Sequence, residues 1–172
     1  MEDHCDECGY DGRGMLVEEV VARLREIPGW FRDAANAFDD EQLRRRPHAE
    51  AWSPLEYLVH VRDLIAYHRW LIERALESEA PEIASADPDA AVAAVQLETI
   101  DPVALLEQLE RRVERLCSTV ESLSPDTFTR RLWLVPDPGP IDITLVVRSA
   151  LHEAVHHRQD LARQQRPAAP EV

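Results

Sequence analysis

The chain has 172 residues, of which 45% are hydrophobic, enough for one domain with a sizeable core and too few for a second independent one. Thirty-three acidic against 19 basic residues give a formal net charge of −14, and such a surface disfavours binding to nucleic acid or anionic lipid through a basic face. All the basic residues are arginine, which excludes Schiff-base chemistry, a phosphate-loop lysine and a lysine general base.

Residues 1–14 read as a polar, cysteine-bearing amino-terminal tail. The stretch is acidic and has no apolar segment, so it is not a secretory signal, and a cytoplasmic protein is expected. His4-Cys5-Asp6-Glu7-Cys8 is half of a zinc-knuckle pattern. A second Cys-x-x-Cys is absent, so two free thiols and a weak metal site in which His4 is a third ligand both remain open.

From Met15 to Phe38 apolar residues recur at helical spacing: Leu16, Val20, Leu24, Ile27, Phe31, Ala35 and Phe38. Pro28 and Gly29 should kink or split this stretch. A second helix starts at Ser53, with Pro54 at its first position and Glu56 completing a capping box, and runs to about Leu76. A long connection follows. Asp101-Pro102 repeats the cap-then-proline start for a third helix ending near Leu123. Along it, Glu107 and Arg111 support the helix, whereas Glu110 and Glu114 oppose it slightly. Four prolines make residues 124–141 largely irregular, with Arg131–Val135 as a short extended piece. A fourth helix spans about 143–165, and residues 166–172 read as a disordered tail. Four long helices with one short and two long connections predict an all-α four-helix bundle over 15–165. No apolar run approaches the ~20 residues that span a bilayer. Neither a GxGxxG nor a GxSxG motif occurs.

The chemistry concentrates on histidine. His152 and His156 are one turn apart on one face of the fourth helix, a spacing that lets two imidazoles reach one ion. His60 lies on the second helix, which can face the fourth across a bundle. Three buried, unpartnered imidazoles would each cost about 1–3 kcal/mol, so the three are exposed, individually partnered or bound to a metal; spacing alone does not choose. His152-Glu153-Ala154-Val155-His156 also matches HExxH. Zinc proteases with that motif take a third ligand downstream. None follows here, so a third ligand has to come from upstream, which points to His60.

Two segments carry a resemblance. Ala51-Trp52-Ser53-Pro54-Leu55-Glu56-Tyr57-Leu58-Val59-His60-Val61-Arg62-Asp63 resembles the tryptophan-serine…glutamate…histidine signature of the DinB/YfiT-like superfamily. His152 through Leu161 resembles that family's carboxy-terminal HxxxHxxQ motif, and Leu43-Arg44-Arg45-Arg46-Pro47 the stretch before its tryptophan. The likeness covers about residues 15–165. It implies a four-helix bundle holding a divalent metal, often zinc or nickel, with His60, His152 and His156 as ligands and water in the open positions. The family includes thiol S-transferases that use bacillithiol or mycothiol, and the mycothiol-dependent maleylpyruvate isomerase. The isomerase branch places Glu-x-x-x-His on the last helix, and Glu153 and His157 have that spacing too. Either pair can supply ligands; the His152/His156 frame is preferred because Gln159 then falls where the family's glutamine does.

Three protein ligands and an open position make a catalytic metal site. Such a site can bring bound water to a pKa of ~7 or hold a thiol as thiolate. Glu153 and Asp63 are the candidate catalytic carboxylates. Asp63, Glu153 and Asp160 are candidate partners for the ligand imidazoles, and Asp160 reads better as a solvated carboxylate. Trp52 reads as a staple at the start of the second helix, with a pocket wall as its other role. Arg62 and Arg44–Arg46 either receive an acidic substrate or pair with carboxylates. The expected function is a metal-dependent enzyme acting on a small electrophile: a low-molecular-weight-thiol S-transferase or isomerase, or a hydrolase. The alternative is a non-catalytic helical dimer or small-ligand-binding module. No nucleic-acid or membrane partner is expected, and a homodimer is.

Overall fold

The computed structural model describes residues 1–136 and 139–165. The tail expected over 166–172 lies outside the described residues. The elements in chain order are β1 (His4–Cys5), β2 (Tyr10–Asp11), α1 (Val17–Leu24), α2 (Ile27–Ala35), α3 (Asp40–Arg44), α4 (Pro54–Glu77), β3 (Glu82–Ala84), α5 (Pro88–Ala93), α6 (Pro102–Glu121), β4 (Arg131–Val135), β5 (Pro140–Asp142) and α7 (Ile143–Gln164).

Four rods form the bundle: α1 with α2, α4, α6 and α7. The first is split, as Pro28 and Gly29 predict. Its break falls at Arg25 and Glu26, so that Pro28 sits in the first turn of α2, where no backbone N–H is needed. The apolar stripe crosses the break unchanged. Val20, Leu24, Ile27, Phe31 and Ala35 are all buried. Leu16 does not join them; it precedes α1 and is exposed.

The long α4 begins as the sequence predicts. Ser53 Oγ accepts from the Glu56 backbone N–H, and the Glu56 carboxylate accepts from the Ser53 N–H at 2.7 Å. Glu56 is only 4% exposed. Burial raises its pKa, but Arg46 and the Ser53 donors outweigh that and hold it below the ordinary glutamate value. Asp101 and Asp142 cap α6 and α7 through their side chains.

α4 packs against both α6 and α7, while α1 and α2 pack against α6 and α7 from the other side. The split helix therefore lies diagonally across the bundle from α4. One consequence matters for the site: α7 has one face toward α4 and another toward α1. Phe31, Leu24, Ile65, Leu109 and Leu116 fill the space between the rods.

The connections hold more structure than their proline content suggests. β4 is the middle strand of a small sheet. It pairs in parallel with β3 (Ile83 opposite Leu134) and antiparallel with β5 (Leu132 opposite Ile141). Leu132 and Leu134 point into the core and Trp133 outward, the alternation of a strand with one buried face. Residues 1–14 are not a free tail. β1 and β2 form an antiparallel hairpin against α7, with Cys8 and Tyr10 buried. Among the described residues no helix is long and apolar enough to cross a membrane.

Candidate functional site

Two side-chain clusters with metal-ligating chemistry lie back to back on α7, and a third group, Glu7 with His156 and Asp160, shares His156 with the second of them. The first comprises His60 of α4 with Glu153 and His157 of α7; their ligand atoms all lie within 4.8 Å of one another. The second comprises His152 and His156 of α7 with Cys5 and Cys8 of the hairpin, again within 4.8 Å. The structure thus brings His60 together with Glu153 and His157, and places His152 and His156 in the other cluster. The reason is helical geometry. Adjacent residues are about 100° apart around an α-helix, so Glu153 and His157 face α4 whereas His152 and His156 face the hairpin.

The first cluster opens on a cavity of about 430 Å³ between α4, α7 and the β3–α5 connection. Its lining includes Trp52, Asp63, Leu64, Ser149 and Asp87, besides the three ligand candidates. Trp52 has both of the roles considered for it. Its ring meets Tyr57 at 5.4 Å, the contact of a staple closing the start of α4. The same ring lies 4.9 Å from His60 and walls the site.

His60 and His157 meet edge to face at 4.8 Å. Burial, reinforced by the charge of His157, pushes the His60 pKa down to about 4, so this imidazole is neutral near pH 7 and has a free lone pair. His157 is oriented by Asp160: Nδ1 lies 3.0 Å from the Asp160 carboxylate, and Nε2 lies 3.6 Å from Glu153. The arrangement directs Nε2 into the cluster, as carboxylates do behind metal-binding imidazoles. Asp160 is therefore not the solvated carboxylate that the sequence suggested; its side chain is 16% exposed. Burial pulls its pKa upward, but the His157 hydrogen bond and the charges of His157, His156 and Arg163 hold it below the ordinary aspartate value.

Asp63 lines the cavity, but its oxygens are engaged by Arg62 at 2.7 Å and Arg112 at 2.5 Å. The other arginines considered for substrate binding are likewise paired, Arg44 with Asp40, Arg45 with Glu41 and Arg46 with Glu56. Two buried polar side chains in the lining escaped the sequence reading as cavity residues. His68 is buried with Nδ1 on the Leu64 carbonyl and Nε2 without a hydrogen-bond partner; Ser149 Oγ is also buried and unpartnered. The signal was available. His68 is two turns from His60, and Ser149 one turn from Glu153, on the same faces.

Two imidazoles and a carboxylate suit zinc, nickel and other divalent ions of borderline softness. With three converging ligands and a cavity beside them, the cluster fits an open metal site.

Comparison with known proteins agrees with this architecture. The family model of the DinB superfamily matches residues 23–161. The fold is similar to YfiT from Bacillus subtilis, described as a probable metal-dependent hydrolase with an unusual four-helix bundle topology: TM-score 0.74, 21% identity, 86% of each chain covered. It is also similar to a conserved protein from Enterococcus faecalis (TM-score 0.65, 14% identity, 88% of this chain and 95% of that one). A DinB-like protein, YjoA, from Bacillus subtilis gives a TM-score of 0.60 at 12% identity, over 89% of this chain and 96% of that one. No curated protein matches the sequence. The match over most of the chain, together with the four-helix bundle, shows that the protein belongs to the DinB superfamily.

Proposed function

We propose that the protein is a divalent-metal-dependent enzyme acting on a small electrophile, with zinc or nickel held by His60, Glu153 and His157. The observation that carries this reading is the convergence of those three side chains at a cavity of about 430 Å³, within the ~300–1,000 Å³ of small-molecule sites. The description of YfiT as a probable metal-dependent hydrolase supports the reaction class. This ligand set replaces the His60, His152 and His156 set that the resemblance implied.

A divalent ion in this place would supply Lewis acidity, favouring the deprotonated form of a bound water or thiol. The protein's own groups do the rest. Asp160 holds His157 in the tautomer that presents Nε2. Trp52 and Leu64 exclude water from one side of the cavity. His68 and Ser149 offer unpaired polar atoms to a substrate. Asp63, fixed by two arginines, is a positioned carboxylate of the rim.

The lining selects a substrate class. It contains Asp63, Asp87 and Glu153 and no arginine. With no cationic side chain in the lining to hold an acidic group, a neutral electrophile fits the cavity better than an anionic one. By the same argument a thiol co-substrate would be a neutral sugar thiol of the mycothiol type, more than an acidic one of the bacillithiol type.

The test is elemental analysis beside turnover of small neutral esters and epoxides, with and without a sugar thiol. His60→Ala and His157→Ala should each lose one divalent ion per chain and all turnover. Thiol-dependent product formation would identify transfer, and thiol-independent product hydrolysis. Unchanged metal content and turnover in both variants would refute the site.

A further inference from the structure

The second cluster on α7 lies outside the cavity and has no part in the chemistry above. It begins with the hairpin. Cys5 ends β1 and Cys8 lies in the turn that follows, where Gly9 takes the positive φ of +69° that glycine tolerates. The hairpin is tied to α7 at several points. The Tyr10 hydroxyl donates to the Arg148 carbonyl at 3.0 Å, Gln159 Nε2 donates to the Cys8 carbonyl, and Arg163 pairs with Glu7 at 3.0 Å. These contacts bring both sulfurs to the side of α7 that carries His152 and His156.

The four donors converge. Cys5 Sγ is 3.8 Å from His156 Nδ1, and all four ligand atoms lie within 4.8 Å of one another. A tetrahedral zinc ion with ordinary Zn–S and Zn–N bonds keeps its ligand atoms roughly 3.3–3.8 Å apart. Closing the cluster on an ion therefore needs only small side-chain movements.

A second observation points to a ligand. His152 is 6% exposed, and neither of its ring nitrogens has a hydrogen-bond partner. Such orphaned atoms are rare in native interiors. The ring is fixed by Tyr10, which stacks on it at 5.3 Å with planes 16° apart. A coordinating ion would employ one of those nitrogens. His156 is equally prepared: while Nδ1 faces Cys5, Nε2 lies 3.9 Å from both Glu7 and Asp160, the outer carboxylates that metal-bound imidazoles commonly have.

We propose that Cys5, Cys8, His152 and His156 form a structural zinc site that clamps the amino-terminal hairpin to α7. Two thiolates and two imidazoles are a closed Cys2His2 set, with no position left for substrate. The motif is split: half a knuckle from the hairpin is completed by an i,i+4 histidine pair about 150 residues later in the chain. The site stands apart from the catalytic reading. It nevertheless touches the same carboxylate, because the Asp160 oxygen 3.0 Å from His157 Nδ1 is also the one 3.9 Å from His156 Nε2.

The test uses the full chain with zinc, and then with cobalt(II) in its place. Wild-type protein should show the near-ultraviolet thiolate-to-cobalt charge-transfer bands and the visible bands of a tetrahedral site. The double variant Cys5→Ser/Cys8→Ser should lose those bands and one metal per chain. His60→Ala/His157→Ala should retain the bands and lose the other metal, so failure of one site is separable from failure of the other. Should the cysteine variant fail to fold, alkylation of the wild-type protein decides. Cys5 and Cys8 should resist modification until a chelator is added. The proposal is overturned by wild-type cobalt protein without thiolate bands, by a Cys5–Cys8 disulfide in freshly purified protein, or by alkylation that is equally fast with and without chelator.

Discussion

Asp160 holds the orientation of His157 through a 3.0 Å hydrogen bond. Replacing it with asparagine keeps the size and removes the charge. Asp160→Asn should weaken divalent-metal binding at His60, Glu153 and His157 by about 10–100-fold, as read by competition with a chromogenic chelator. Asp63→Asn should leave that affinity nearly unchanged, since the Asp63 oxygens are committed to Arg62 and Arg112. The buried histidines add a pH dependence. Burial lowers the pKa of His68, and burial with the His157 charge brings His60 from 6.5 down to about 4. Below pH 6.5 the unfolded chain then takes up protons that the native state refuses, so stability present above that pH is lost as the pH falls toward 4. Urea unfolding of metal-free protein should show the decline beginning near pH 6.5, before carboxylates titrate, and His60→Gln should make it shallower. His60 was legible in the sequence as a candidate ligand. Asp160 was a candidate imidazole partner but read better as solvated, because i,i+3 spacing makes the two side chains neighbours without showing whether packing buries them.

At the scale of single elements, the helix starts were the most legible feature, because capping is local chemistry. The Ser53–Glu56 box and the Pro54 that follows it lie within four residues of one another, and the structure places them as the pattern predicts. The Ser53 hydroxyl caps a fully buried helix start. Ser53→Ala should therefore lower stability by about 1 kcal/mol, with little change in metal content. Charge pairs that leave the element were less legible. Glu110 and Glu114 look like mutually repelling neighbours on α6, but Arg32 and Arg25 of the split first helix reach across to them at 3.3 Å each. Arg131–Val135 was legible as an extended piece and is β4. Its partners β3 and β5, the amino-terminal hairpin and α5 went unread for a related reason: each is too short for hydrophobic periodicity to register, and β4 pairs with β3 about fifty residues away in the chain.

For the whole molecule, stability rests on the space between four rods, and Phe31 fills the middle of it with no exposed surface. Phe31→Ala should cost about 3–5 kcal/mol, measured by denaturant unfolding, and should loosen both clusters on α7 because α2 packs directly on that helix. The sequence by itself determined the four rods, the caps of α4 and α6, the break near Pro28 and the bundle, since apolar period, proline and capping residues act over one or two turns. It also narrowed the chemistry to a few side chains: His60, the histidines and Glu153 of the last helix, and the amino-terminal cysteines. Only the tertiary structure decided how they group. His152/His156 and Glu153/His157 have the same i,i+4 spacing and differ by one residue, about 100° of rotation. Which pair faces His60 is set by how α7 is turned about its own axis, and that rotation is fixed by packing against α4 on one side and against α1 and the hairpin on the other. No local pattern encodes it. The same rotation leaves His152 and His156 facing Cys5 and Cys8, a meeting that spacing along the chain gives no means to foresee.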